Sequence, residues 1–343
     1  MRRLAIVPLL GSFLFAQQKQ GSPLDNLPGN IEILTRFGER ADFSPDNTEV
    51  AFMAKSFGDA FVIDLKTRII RCLTCNVPGA AFLRVMHLSN GDYLLIGPER
   101  FVDIHKSRAR DNELWYLKRT RGSVPVRLGQ KMSEGAAVSK ESMTIAYSVT
   151  IAQDPTMPAE VSRLVVAEVD PGSHSLVNNT VLLESPDRSC VIEAQDFFDK
   201  DRKLTYTCYE RDGLASVWTI DRRTHRTVNH SKAIGSYNEA EGIVPGDRYT
   251  LVESDRQAVL RGKTALFRDI DIWKLKLDGT GKEFTRLTYF NDYVGGKASN
   301  PVVSTDGRYM AFQLANTADE AGVGYGIMLF HLLSTSGGRA APQ

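Results

Sequence analysis

The chain has 343 residues, with 42 Lys plus Arg set against 41 Asp plus Glu, a formal net charge of +1. So even a balance carries no electrostatic footprint for nucleic acid, and the few basic runs, such as Lys118-Arg119-Thr120-Arg121, read as solvated turns. Beyond the N-terminus no stretch approaches the roughly 18 consecutive apolar residues that a membrane helix needs.

In chain order, residues 1–16 read as an export signal peptide. Arg2 and Arg3 give the positive start, residues 4–15 a short apolar core, and Ala16 a small residue for cleavage. Residues 31–36, Ile-Glu-Ile-Leu-Thr-Arg, have the character of a single strand. One segment type then recurs six times: an apolar strand end, a tight polar turn and a second apolar strand. Its clearest copy is Phe43-Ser44-Pro45-Asp46-Asn47 leading into Val50-Ala51-Phe52; the others begin at His87, Val138, Phe197, Ile243 and Val303. Asp, Asn and Gly supply the backbone angles of short hairpin turns. A third apolar strand, as in Phe61-Val62-Ile63-Asp64, and a shorter fourth, as in Cys72-Leu73-Thr74, complete most units.

Four antiparallel strands per unit make a propeller blade. The last unit runs out after Ile327-Met328-Leu329-Phe330, so residues 31–36 are expected to supply its outer strand and close the ring. The expected fold is all-β: a six-bladed β-propeller over residues 22–333, with a disordered tail at 334–343.

The Ser-Pro-Asp turn, the apolar-Asp third strand and the Leu-Thr fourth strand resemble the TolB-type, WD-repeat-like propeller family. The resemblance implies the fold over nearly the whole mature chain. Its members include periplasmic scaffolds, peptidase-associated propellers and carbohydrate-active enzymes, so it does not select a function. Two shorter stretches, residues 72–79 and 269–273, are similar to segments of fungal secreted saponin hydrolases.

Export gives the four cysteines a context. Cys190 and Cys208 stand nine residues either side of Asp199 at the fourth turn, which points to a disulfide across that hairpin if its register allows. Cys72 and Cys75 form a lone C-x-x-C with no further zinc ligands and no following helix. A local disulfide is the better reading, and two free thiols the alternative. Trp115, Trp218 and Trp273 fill equivalent third-strand positions and read as inter-blade packing. Asn178 and Asn229 head glycosylation-type triplets.

Aligning the six turns places Glu39, Leu83, Glu134, Glu193, Glu239 and Ser299 at one position, where each innermost strand begins. Equivalent positions in a ring converge, so these carboxylates are expected at the mouth of the central channel, with Glu241 pointing the same way two residues on. The competing reading is a set of solvated residues on connecting loops. Converging carboxylates suit calcium, a basic or polyhydroxylated ligand, or general acid and base work on a glycosidic bond. In that last case two of Glu134, Glu193 and Glu239 are the catalytic pair. Arg40, His87, Asp196, Tyr237 and Asn238 are the neighbouring candidates for ligand contacts, although a structural role suits His87 better. No G-x-S-x-G nucleophile motif and no phosphate-binding glycine loop occur. The expected function is a periplasmic or secreted, monomeric binding module that offers its channel mouth to a protein, peptide or glycan. A secreted glycoside hydrolase is the alternative.

Overall fold

A computed structural model describes residues 17–185, 187, 189–232, 236–263, 267–319 and 322–332. The signal peptide and the tail expected from sequence lie outside these residues.

Six four-stranded antiparallel sheets form the ring, each running in chain order from an innermost to an outermost strand. The innermost strands are Glu39–Phe43, Arg84–His87, Ala136–Val138, Val191–Phe198, Asn238–Val244 and Gly296–Val303, in blades 1 to 6. Blade 6 draws its outermost strand, Ile31–Thr35, from the N-terminal side, pairing antiparallel with Ile327–His331 in the register Ile31 to Phe330. The ring therefore closes non-covalently with strands from both ends of the fold, as its missing outer strand implied.

The turns show why the repeat reads so clearly. Ser44 Oγ donates to Asp46 Oδ1 and accepts from the amides of Thr48 and Glu49, at 2.6, 3.1 and 3.0 Å. Ser304 does the same with Asp306 and the Tyr309 amide. A hydroxyl that satisfies turn amides locally fixes the hairpin before any distant contact forms. Fully buried Phe43, Phe52, Tyr93, Tyr116 and Phe312 then fill the space within and between blades.

Both cysteine pairs are bridged, with Cα separations of 5.8 Å for Cys72–Cys75 and 5.0 Å for Cys190–Cys208. The second bridge is diagonal. Cys208 lies opposite Ile192, not Cys190, because the hairpin turns about residues 200 and 201, with Phe198 opposite Lys203, rather than about Asp199; the extra residue at Gln195 brings Cys208 one position closer to Cys190. The three tryptophans pack within the ring. Trp115 Nε1 donates to Gly97 O, Trp218 stacks on Tyr206, and Trp273 meets Phe284 edge to face.

Candidate functional site

The connections between second and third strands lie on the same side of the ring as the loops leading into the innermost strands. Together they wall a cavity of about 1090 Å³ at the mouth of the channel. Its lining includes Glu39, Glu134, Glu193, Glu239 and Ser299, five of the six aligned positions.

The sixth, Leu83, is fully buried, and Arg84 lines the cavity in its place. Four innermost strands carry one extra residue just beyond the aligned position, at the register shifts Glu39/Asp42, Ala194/Asp196, Ala240/Ile243 and Ser299/Val302. The short inner strand of blade 2 has no such bulge, so counting back from its turn overshoots by one residue. In blade 1 the bulge holds Arg40 at φ 54°, a left-handed conformation that turns its side chain toward the cavity.

On the blade 1–3 side every carboxylate has a cation. Arg40 reaches across to Glu134 at 2.9 Å and approaches Glu39 at 3.6 Å, and Arg108 also pairs with Glu134. Ser56 Oγ donates to Glu39 at 2.6 Å. Burial works against the Glu134 charge, but Arg40 and Arg108 outweigh it and hold the carboxyl at about 2. Burial likewise works against the Arg40 charge, and Glu134 and Glu39 more than restore it.

The blade 4–5 side is arranged differently. Among the described residues, none of Glu193, Glu239, Glu241 and Glu253 makes an ion pair, yet all four are buried. Tyr209 OH donates to Glu239 at 2.6 Å and Tyr237 OH donates to its other oxygen. Burial, then the charges of Glu239 and Glu134, push Glu193 up to about 8. Burial and Glu239 lift Glu253 to about 7. Lys297, the nearest lysine, donates to Phe267 O at 2.8 Å instead of closing on a carboxylate. Gly135 belongs to this packing, because a Cβ there would stand 2.4 Å from Glu193 Cγ.

Three expected ligand contacts are corrected. His87 is buried at the far end of its strand, with Nδ1 3.1 Å from Asp42, a carboxylate that Lys140 also holds at 2.9 Å. Asn238 follows the strand alternation away from Glu239 and accepts from Ser254 Oγ. Asp196 lies beyond the bulge, below the cavity, and accepts from the Ile243 amide at 2.7 Å. Glu241 stands behind Glu239 rather than in the cavity wall, whereas Arg40 and Tyr237 do line it. Sequence counting missed Arg84, Arg108, Tyr209, Glu253 and Lys297. Only Glu253 left a signal: it stands one residue before the end of the second strand of blade 5, directly opposite Glu239.

No family model and no curated protein matches the chain. The likeness to fungal saponin hydrolases therefore rests on its two sequence segments alone. Solved structures do match in fold. A TolB structure from Agrobacterium tumefaciens aligns with a TM-score of 0.53 at 14% identity, covering 75% of this chain and 77% of that one. A hydrazine synthase chain from Kuenenia stuttgartiensis gives 0.50 at 14% identity, covering 81% and 74%. A chain of a mitotic checkpoint complex gives 0.50 at 13% identity, covering 92% and 99%. At such identities the likeness establishes the architecture alone, a six-bladed propeller with four-stranded blades.

Proposed function

We propose that this chain is an exported binding propeller that docks a protein partner on its mouth face. One observation carries the reading: exposed apolar side chains concentrate on that face. Phe101, Val102 and Ile104 project from blade 2, Val259, Leu260 and Phe267 from blade 5, and Val323 and Tyr325 from blade 6. The turns of the opposite face expose only Ile69 and Val124 among large apolar side chains of the described residues. A polar-rimmed apolar concentration marks an interaction surface. The unpaired carboxylates beneath it favour a partner segment that inserts a basic side chain toward Glu193. The two disulfides support an oxidising compartment, in keeping with the export signal.

The test compares wild type with Phe101→Asp/Leu260→Asp on the mouth face and Ile69→Asp/Val124→Asp on the opposite face. A peptide array in which lysine or arginine alternates with apolar residues serves as the probe. Wild type and the opposite-face variant are expected to bind the basic apolar peptides, and the mouth-face variant to lose them. Loss in the opposite-face variant alone overturns the reading.

A second reading, a secreted glycoside hydrolase, draws on one specific feature. Glu134 and Glu193 are held at about 2 and about 8, the split that separates a base from an acid. Turnover of any member of a glycoside panel, lost in Glu193→Gln, supports it; no turnover by wild type removes it.

A further inference from the structure

Glu239 and Glu253 face each other directly across the first two strands of blade 5, and Glu241 follows Glu239 on the same strand face. One oxygen from each of the three lies within 4.8 Å of one from each of the others, and all three side chains are buried. Like charges directly opposed in a sheet destabilise it, and buried carboxylates destabilise it more unless something neutralises them. Tyrosine hydroxyls and the Asn300 backbone amide satisfy Glu239 and Glu253 in part. Glu241 differs. Its Oε1 is shut off from solvent, has no hydrogen-bond partner among the described residues, and belongs to a side chain that is 5% exposed.

We propose that Glu239, Glu241 and Glu253 bind a calcium ion behind the acidic side of the mouth. The donor set selects the ion. It offers carboxylate oxygen and neither imidazole nor thiolate, which excludes the sites that zinc or copper prefers. Calcium takes six to eight oxygens at 2.3–2.6 Å in irregular geometry, so two ligands of one ion stand up to about 5 Å apart. Magnesium needs a tighter octahedron, which fits three carboxylates on one pleated strand pair less well. The register bulge at Ala240/Ile243 bears on this directly, because it sits beside Glu241 and bends the strand there.

A bound ion also accounts for the positions of the nearby cations. Arg84 and Lys297 stand close enough to influence these carboxyls, yet neither closes an ion pair with them. The site needs no docked partner, so its test is independent of the docking reading.

The full chain, stripped with a chelator, is titrated with calcium chloride and separately with magnesium chloride by isothermal titration calorimetry at about pH 8. Thermal melting follows in parallel. The expected result is a single calcium per chain, a raised melting midpoint and weaker magnesium binding. Glu241→Gln, which keeps the shape but removes one ligand charge, is expected to weaken calcium by roughly tenfold or more. Ile69→Ser on the opposite face is expected to bind as wild type. If Glu241→Gln does not fold, Glu253→Gln carries the same comparison. Neither heat nor a melting shift at millimolar calcium overturns the proposal. Undiminished affinity in the glutamine variant overturns the assignment of ligands, and a preference for magnesium overturns the choice of ion.

Discussion

On the blade 1–3 side of the mouth, Arg40 bridges Glu39 and Glu134, and Arg108 pairs with Glu134. On the blade 4–5 side, Glu193, Glu239, Glu241 and Glu253 have tyrosine hydroxyls and one another. Glu39, Glu134, Glu193 and Glu239 occupy aligned positions in the ring and line one cavity, and all but the half-buried Glu134 are buried. The first side is a finished ion network that holds the Glu134 carboxyl low. On the second, the fold opposes ionisation of Glu193, Glu241 and Glu253. Repeat symmetry thus delivers the same residue to each blade, while the neighbours supplied by non-equivalent loops decide its charge state. An unfinished network beside a finished one is where an incoming cation gains most.

The sharpest way to break this contrast is Arg40→Leu. Arg40 is 6% exposed and spans blades 1 and 3. Its removal leaves Glu39 buried without its cation and Glu134 with Arg108 alone, and breaking a buried pair in this way costs about 3–5 kcal/mol. Urea unfolding at neutral pH is expected to show a loss of that order, with the Glu134 carboxyl rising from about 2 but staying below that of Glu193.

Reducing the Cys190–Cys208 bridge ranks next. It closes a loop of sequence separation 18 around the hairpin that carries Glu193, and chain-entropy reasoning assigns such a loop about 3 kcal/mol. Cys190→Ser is expected to lower stability by that order. Cys72→Ser, which opens a loop of separation 3, should lower it much less. Equal losses in the two variants would break the idea that blade 4 depends on its cross-link.

Glu193→Gln tests the acidic side through pH. A carboxyl raised from its ordinary value to about 8 binds its proton more tightly in the folded chain than in the unfolded one. Wild-type stability from this group is therefore present below the ordinary carboxyl range, falls as pH rises toward 8, and levels off above it. The glutamine variant lacks this decline. It is expected to match wild type near pH 4 and to exceed it near pH 9, as read from denaturant midpoints. An identical pH profile in the two proteins would show that the fold leaves the Glu193 carboxyl at its ordinary value.

The smallest stability effect belongs to the rim. Leu260 is 74% exposed, and Leu260→Ser is expected to change stability by no more than about 0.5 kcal/mol while weakening peptide capture. A large stability loss there would mean that the rim packs on itself and offers no docking surface.

Much of the fold was legible because a blade is a local object. Alternating apolar residues around a short polar turn specify each hairpin locally, with a serine locking the turn in blades 1, 3 and 6, and the missing outer strand of blade 6 pointed to residues 31–36. The aligned glutamates were legible for the same reason, since position in the repeat sets height in the ring. Arg84 was not, because the bulge that four blades contain and blade 2 lacks leaves no mark in the apolar pattern. The Cys190–Cys208 bridge is diagonal because the hairpin turns about residues 200 and 201 rather than about Asp199, which the polar turn sequence does not reveal.

The sequence by itself determined the number of blades, the closing strand and the convergence of carboxylates, since all three depend on short-range periodicity and on counting repeats. Only the tertiary structure decided that the Glu134 carboxyl is held low while that of Glu193 is raised. That depends on Arg40 crossing from blade 1 to Glu134 in blade 3, and on Glu193 of blade 4 being buried beside Glu239 of blade 5. Such contacts join residues far apart in the chain, and in a low-dielectric interior a few ångströms between a carboxylate and its nearest cation decide between a lowered pKa and a raised one.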